Sequence, residues 1–147
     1  MEIQGKLIII GGAVDTGSFT ETNLDKDTSK NLNFFETGIL KRIIKESKNK
    51  EQSRIEVITT ASKIPREIGP EYVKAFSYLG AHNVDVLYIE KREQANDPEI
   101  LERLKAADVV MFTGGDQLRL TSILGGTQFD DILIDKYTNE DFIYAGT

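Results

Sequence analysis

A chain of 147 residues suffices for one domain with a sizeable core, and 39% hydrophobic with 29% charged residues is a globular balance rather than a disordered one. The net charge of −6 argues against nucleic acid and anionic membrane surfaces as main partners, since both select basic patches. The chain has no cysteine, which excludes disulfides, thiolate chemistry and cysteine-ligated metals within these residues. No apolar stretch approaches the roughly 20 residues of a membrane helix, and no basic region precedes an apolar one at the start, so a cytoplasmic protein is expected.

In chain order, Lys6 to Ile10 is an aliphatic run closed by Gly11-Gly12, read as a first buried strand and its turn. Val14 to Asn33 is rich in Thr, Asp, Asn and Ser and reads as an extended loop. Phe35, Ile39, Leu40, Ile43 and Ile44 recur at helical spacing through Lys48, and Asn49 to Ser53 is a charged turn. Ile55 to Thr60 is a second strand, with Ala61-Ser62-Lys63-Ile64-Pro65 at its carboxyl end. Glu67 to Leu79 places Tyr72, Ala75, Phe76 and Leu79 at i, i+3, i+4 and i+7, and Gly80 closes that helix.

Val84 to Ile89 is a third strand, and Asp97-Pro98 reads as an N-cap with proline at the first position of a helix running to about Lys105. Val109 to Phe112 is β-branched and short, as a buried parallel strand should be, and it stops at Thr113-Gly114-Gly115. Asp116 sits where an N-cap belongs, and Leu118 to Leu124 continues as a short helix ended by Gly125-Gly126. Phe129, Ile132, Leu133 and Tyr137 stripe another helix, and Phe142 to Ala145 starts a further strand. Strands alternate with helices and no hairpin signal intervenes, which predicts an α/β fold: a doubly wound, mainly parallel sheet with helices on both faces. The final strand lacks a following helix, so residues 1–147 are expected to be a single α/β domain forming the amino-terminal portion of a larger one.

A strand, a glycine turn and a helix start together present free N–H groups at the sheet edge where open α/β sheets bind ligands. Asp116, Gln117 and Arg119 crowd that turn with polar groups, although a tight βα turn would also account for the glycines. Gly11-Gly12-Ala13 is not followed by the phosphate-loop lysine or the dinucleotide glycine pattern. His82, the one histidine, falls in a helix-to-strand turn and reads as a solvated loop residue.

The stretch Phe112-Thr-Gly-Gly-Asp-Gln-Leu-Arg-Leu-Thr-Ser-Ile-Leu-Gly-Gly-Thr127 resembles the central signature of the cyanophycinase family of serine peptidases, within the class I glutamine amidotransferase-like (flavodoxin-like) superfold. Leu7 to Ala13, Ile58 to Pro65 and Tyr144-Ala-Gly-Thr147 support it. Where that family has an acidic residue directly after Gly-Gly-Ala, this chain has Val14 before Asp15. The resemblance implies a serine nucleophile directly after Thr147, with its histidine and acidic partners further on, so no catalytic residue is expected within these 147 residues. It implies no metal or cofactor.

By the same resemblance, the Gly115 and Asp116 backbone would lie beside the oxyanion, and Gln117 would hydrogen-bond the aspartyl part of the substrate. Asp116 reads equally as a plain N-cap, and Arg119 as a loop ion pair or a substrate contact. Thr60, Ser62 and Thr147 are candidates for a pocket wall, and turn-making explains the first two equally well. The implied function is that of a cytoplasmic, homodimeric exopeptidase that releases β-Asp-Arg dipeptides from cyanophycin, an arginine-bearing aspartate polymer. The alternatives are an aspartyl dipeptidase of the same superfold and a non-catalytic binding protein that keeps the fold.

Overall fold

A computed structural model of the chain describes residues 2–12 and 38–147. The extended loop expected over 14–33, with Asp15, and the helical start expected at Phe35 lie outside the described residues. Among the described residues five strands make one sheet: β1 (Lys6–Ile9), β2 (Ile55–Ile58), β3 (Val84–Leu87), β4 (Val109–Phe112) and β5 (Ile143–Gly146). Their order is β1-β5-β4-β2-β3, and every pairing is parallel. The helices are α1 (Ile39–Glu46), α2 (Pro65–Tyr78), α3 (Pro98–Ala106), α4 (Gln117–Leu124) and α5 (Gln128–Asn139).

The period-two alternation of side chains sorts the core into two layers. Ile55, Val57, Val86, Val109, Met111, Ile143 and Ala145 face one side, where Leu40 and Ile43 of α1 and Tyr72, Ala75 and Phe76 of α2 cover them. Ile58, Leu87, Val110 and Phe112 face the other, against Leu101 and Leu104 of α3, Leu124 of α4 and Phe129 and Leu133 of α5. The sheet is therefore doubly wound, as its alternating elements predict.

Local chemistry sets the helix limits. Asp97 Oδ1 accepts the Glu99 N–H at 2.8 Å at the start of α3, and Pro98 occupies the first helical position. Helix α2 begins earlier than its apolar stripe suggests, because Pro65 can open a helix without needing its missing N–H. It ends at Gly80, whose φ of +102° lets Ala81 N–H reach back to the Phe76 carbonyl at 3.0 Å. A 3-10 turn over Arg92–Asn96 was not signalled by periodicity; Gln94 Oε1 holds it by accepting the N–H groups of Glu90 and Lys91.

Strand β1 was expected to be buried, yet Leu7 is 49% and Ile9 82% exposed. Among the described residues it is an edge strand, and its Ile8 and Ile10 face packs against the first core layer. A β-branched apolar run reads as buried, but burial depends on what covers each face, which the run does not encode.

Candidate functional site

The winding of the sheet reverses between β2 and β4. Leaving β2, the chain passes through α2 on one face to reach β3; leaving β4, it passes through α4 and α5 on the other face to reach β5 in the opposite direction. Right-handed crossovers running in opposite directions must lie on opposite faces, so a crevice opens at the carboxyl ends of β2 and β4. Two loops meet there: residues 59–64 after β2 and residues 113–116 after β4.

They lock together at backbone level. Asp116 N–H donates to the Ala61 carbonyl at 2.9 Å, and Arg119 Nε donates to the Thr60 carbonyl at 2.9 Å. Thr60 Oγ1 in turn donates to the Ile89 carbonyl at 2.8 Å, so the ends of β3, β2 and β4 are tied in one relay. Gly115 is held at φ +151°, and a Cβ there would overlap the Ala61 carbonyl oxygen. Glycine is required on both counts, since the conformation and the close approach each exclude a side chain. A Cβ on Gly114 would stand 2.6 Å from Thr147 Oγ1, which brings the end of β5 against the same turn.

The residues singled out from the sequence are thus brought together, in different states of engagement. Of the two N–H groups named beside an oxyanion, that of Asp116 is bonded within the protein. Gly115 is an exposed residue, and its N–H has no partner among the described residues. The Asp116 carboxylate is the N-cap of α4, accepting the Leu118 and Arg119 N–H groups at 2.9 and 3.2 Å. Gln117 is exposed on the first turn of α4, and its amide makes no hydrogen bond among the described residues. Arg119 makes no ion pair among them; its bond goes to a carbonyl.

Thr60 and Ser62 are buried and their hydroxyls are committed, Thr60 to Ile89 and Ser62 as acceptor of the Ile64 N–H at 3.1 Å. Thr147 is half-buried at the end of β5. Sequence reasoning missed Ala61, whose carbonyl anchors Asp116, because a backbone acceptor leaves no mark on residue type. His82 bonds Ser77 Oγ at 2.9 Å in its exposed turn, away from this edge. Among the described residues no cluster of histidine and carboxylates could hold a metal, and no helix is long and apolar enough to cross a membrane. A groove of about 620 Å³ between α2 and β3, lined by Pro70, Val73, Ser77 and Tyr88, shares no residue with the turn.

Comparison with known proteins agrees with this fold. The family model of peptidase family S51 matches residues 28–147. A cyanophycinase of Trichormus variabilis is 37% identical over 93 residues, 63% of this chain and 31% of that protein. One of Geminocystis herdmanii is 40% identical over 93 residues, 63% of this chain and 34% of the relative. The chain thus spans about a third of the length of these curated relatives. Among solved structures, a peptidase from an acI-B1 actinobacterium superposes with a TM-score of 0.72 at 20% identity, covering 99% of this chain and 55% of the other. A putative peptidase E of Listeria monocytogenes gives 0.52 at 20% identity, covering 77% and 54%. At such identities the structural likeness shows the fold. The family match extends over most of the sequence and includes the whole glycine turn with the strand ends around it: the chain belongs to peptidase family S51.

Proposed function

We propose that the protein is a serine-type peptidase and that this chain supplies the oxyanion and recognition half of its site. One observation carries the reading: exposed Gly115 holds a backbone N–H with no partner among the described residues, on a turn whose Gly114 abuts Thr147, at the crevice where the winding reverses. When a serine hydroxyl attacks a peptide carbonyl, negative charge develops on the carbonyl oxygen. A donor already fixed in place stabilises that charge without reorganising, an effect worth about 10²–10³ in rate. The serine is proposed as the residue after Thr147, where a nucleophile would face the turn across Gly114. Residues 1–147 would then be the amino-terminal portion of the larger hydrolase domain.

Three groups divide the remaining work. Asp116 fixes the turn as cap of α4, with its N–H spent on Ala61. Gln117 offers substrate both a donor and an acceptor. Arg119 secures α4 to the end of β2 and leaves its terminal guanidinium nitrogens for a carboxylate. The cyanophycinase relatives and the net charge of −6 support an arginine-bearing peptide substrate, with cyanophycin the specific proposal and β-Asp-Arg dipeptides the product. A homodimer is proposed from the family resemblance alone, and the cytoplasm is proposed as its compartment.

The test is incubation of the full-length protein with cyanophycin, with β-Asp-Arg release followed by mass spectrometry, beside short aspartyl dipeptides and the variant with alanine after Thr147. Dipeptide release that the alanine variant abolishes is expected. Cleavage of the aspartyl dipeptides alone would replace cyanophycin with small peptides as substrate. No cleavage of either would overturn the peptidase reading and leave a binding protein of the same fold.

A further inference from the structure

Strands β2, β4 and β5 are each followed directly by threonine, and the register sets the three in a row. Ile58 lies opposite Phe112, and Phe112 opposite Gly146. One position further come Thr59, Thr113 and Thr147. The parallel ladder runs on into this row, with Thr113 N–H donating to the Ile58 carbonyl at 3.0 Å and Thr147 N–H to the Phe112 carbonyl at 3.3 Å. Alternation puts all three on the face of Val57, Met111 and Ala145, whose other neighbours are apolar.

Their hydroxyls are poorly served. Thr113 Oγ1 reaches the Ile58 carbonyl only at 3.4 Å, and Thr147 Oγ1 makes no hydrogen bond among the described residues. Thr59 is 1% exposed, and its buried Oγ1 has no hydrogen-bond partner among the described residues. An unsatisfied buried hydroxyl is worse than a methyl group in the same place, so it requires a partner. Thr59 lies too deep for substrate to reach, and no carboxylate stands in the row to attract a cation. A water molecule, with two donors and two acceptors, is the ligand that adjacent hydroxyls in an enclosed place can hold.

We propose that Thr59 and its neighbour Thr113 hold a buried water beneath the glycine turn, and that Thr59 acts through it as a positioning residue. The water links the end of β2 to the end of its neighbour β4. It thereby fixes the Gly114-Gly115 turn against the loop that follows β2. Only this link to catalysis rests on the peptidase reading; the water site stands on register, burial and hydrogen bonding.

The experiment compares full-length wild type, Thr59→Val and Thr59→Ser by thermal unfolding, steady-state kinetics on cyanophycin and a high-resolution crystal structure. Valine keeps the shape and removes the hydroxyl, whereas serine keeps the hydroxyl. The expected result is water density bonded to Thr59 Oγ1 in the wild type. Thr59→Val should lower Tm by about 2–4 °C. Its kcat should fall about tenfold with KM held within about twofold, and Thr59→Ser should recover both. A Thr59→Val protein as stable as wild type, or more stable, would overturn the water site, because deleting a truly unpaired hydroxyl costs nothing. A lower Tm with unchanged kcat would overturn the positioning role. Should the wild type cleave no peptide, the peptidase reading fails, while Tm and density still decide the water site.

Discussion

Replacing Gly115 by alanine drives a methyl group into the Ala61 carbonyl oxygen and holds an L-residue at φ +151°. Both penalties act on the same turn, so Gly115→Ala should lose about 2–4 kcal/mol in urea unfolding and nearly all activity. At Asp116 the cap geometry decides the outcome. Asparagine can accept the same N–H groups, so Asp116→Asn should match the wild type in stability and kcat; Asp116→Ala should lose about 1 kcal/mol of stability. A large kcat loss in Asp116→Asn would instead assign the carboxylate to the chemistry. The glycine pair and the cap were legible because their residue types answer to local backbone demands. The engagement of the Asp116 N–H was not, since its partner Ala61 lies 55 positions away.

The elements are held by contacts that periodicity does not show. Glu56 points from β2 toward α3 with no exposed surface, between Arg54 at 2.6 Å and Arg103 at 2.8 Å. Arg103 also donates to the Val86 carbonyl at 3.2 Å, which ties α3 to β3. A buried carboxylate bound by two guanidiniums is costly to disturb, because removing its charge leaves donors only half satisfied. Glu56→Gln should therefore lower stability by about 2–3 kcal/mol, measured by denaturant unfolding, without changing KM, since the cluster lies at the opposite ends of the strands from the glycine turn. In the sequence Glu56 is a lone acid inside an aliphatic run. Its partners come from the residue before β2 and from α3, so the run alone could not identify them. Lys136 is similar: buried in α5, it donates to the Lys105 carbonyl at 2.9 Å and closes the end of α3.

Across the whole molecule, two tyrosines link folding to alkaline pH. Burial raises Tyr72 above its ordinary value of 10.0, with Glu71 adding to it; burial also raises Tyr144, with Asp130 adding. The folded state thus keeps these protons at pH values where the unfolded chain has lost them. Their contribution is fully present below pH 10 and falls as pH rises through the folded values. Urea midpoints should decline between about pH 9 and pH 11, and less steeply in Tyr72→Phe or Tyr144→Phe. An unchanged slope in both variants would mean that neither ring titrates differently on folding.

By itself the sequence determined the alternation of strands and helices, the caps at Asp97 and Asp116, the stripe of Tyr72, Ala75 and Phe76, and the glycine turn after Phe112. Each is a local property, written in spacing or in a residue type that a particular backbone conformation requires. Only the tertiary structure decided the strand order, the exposure of Leu7 and Ile9, the pairing of Ala61 with Asp116, and the row of Thr59, Thr113 and Thr147. These depend on register and on which face of which strand is covered, and long-range packing fixes both.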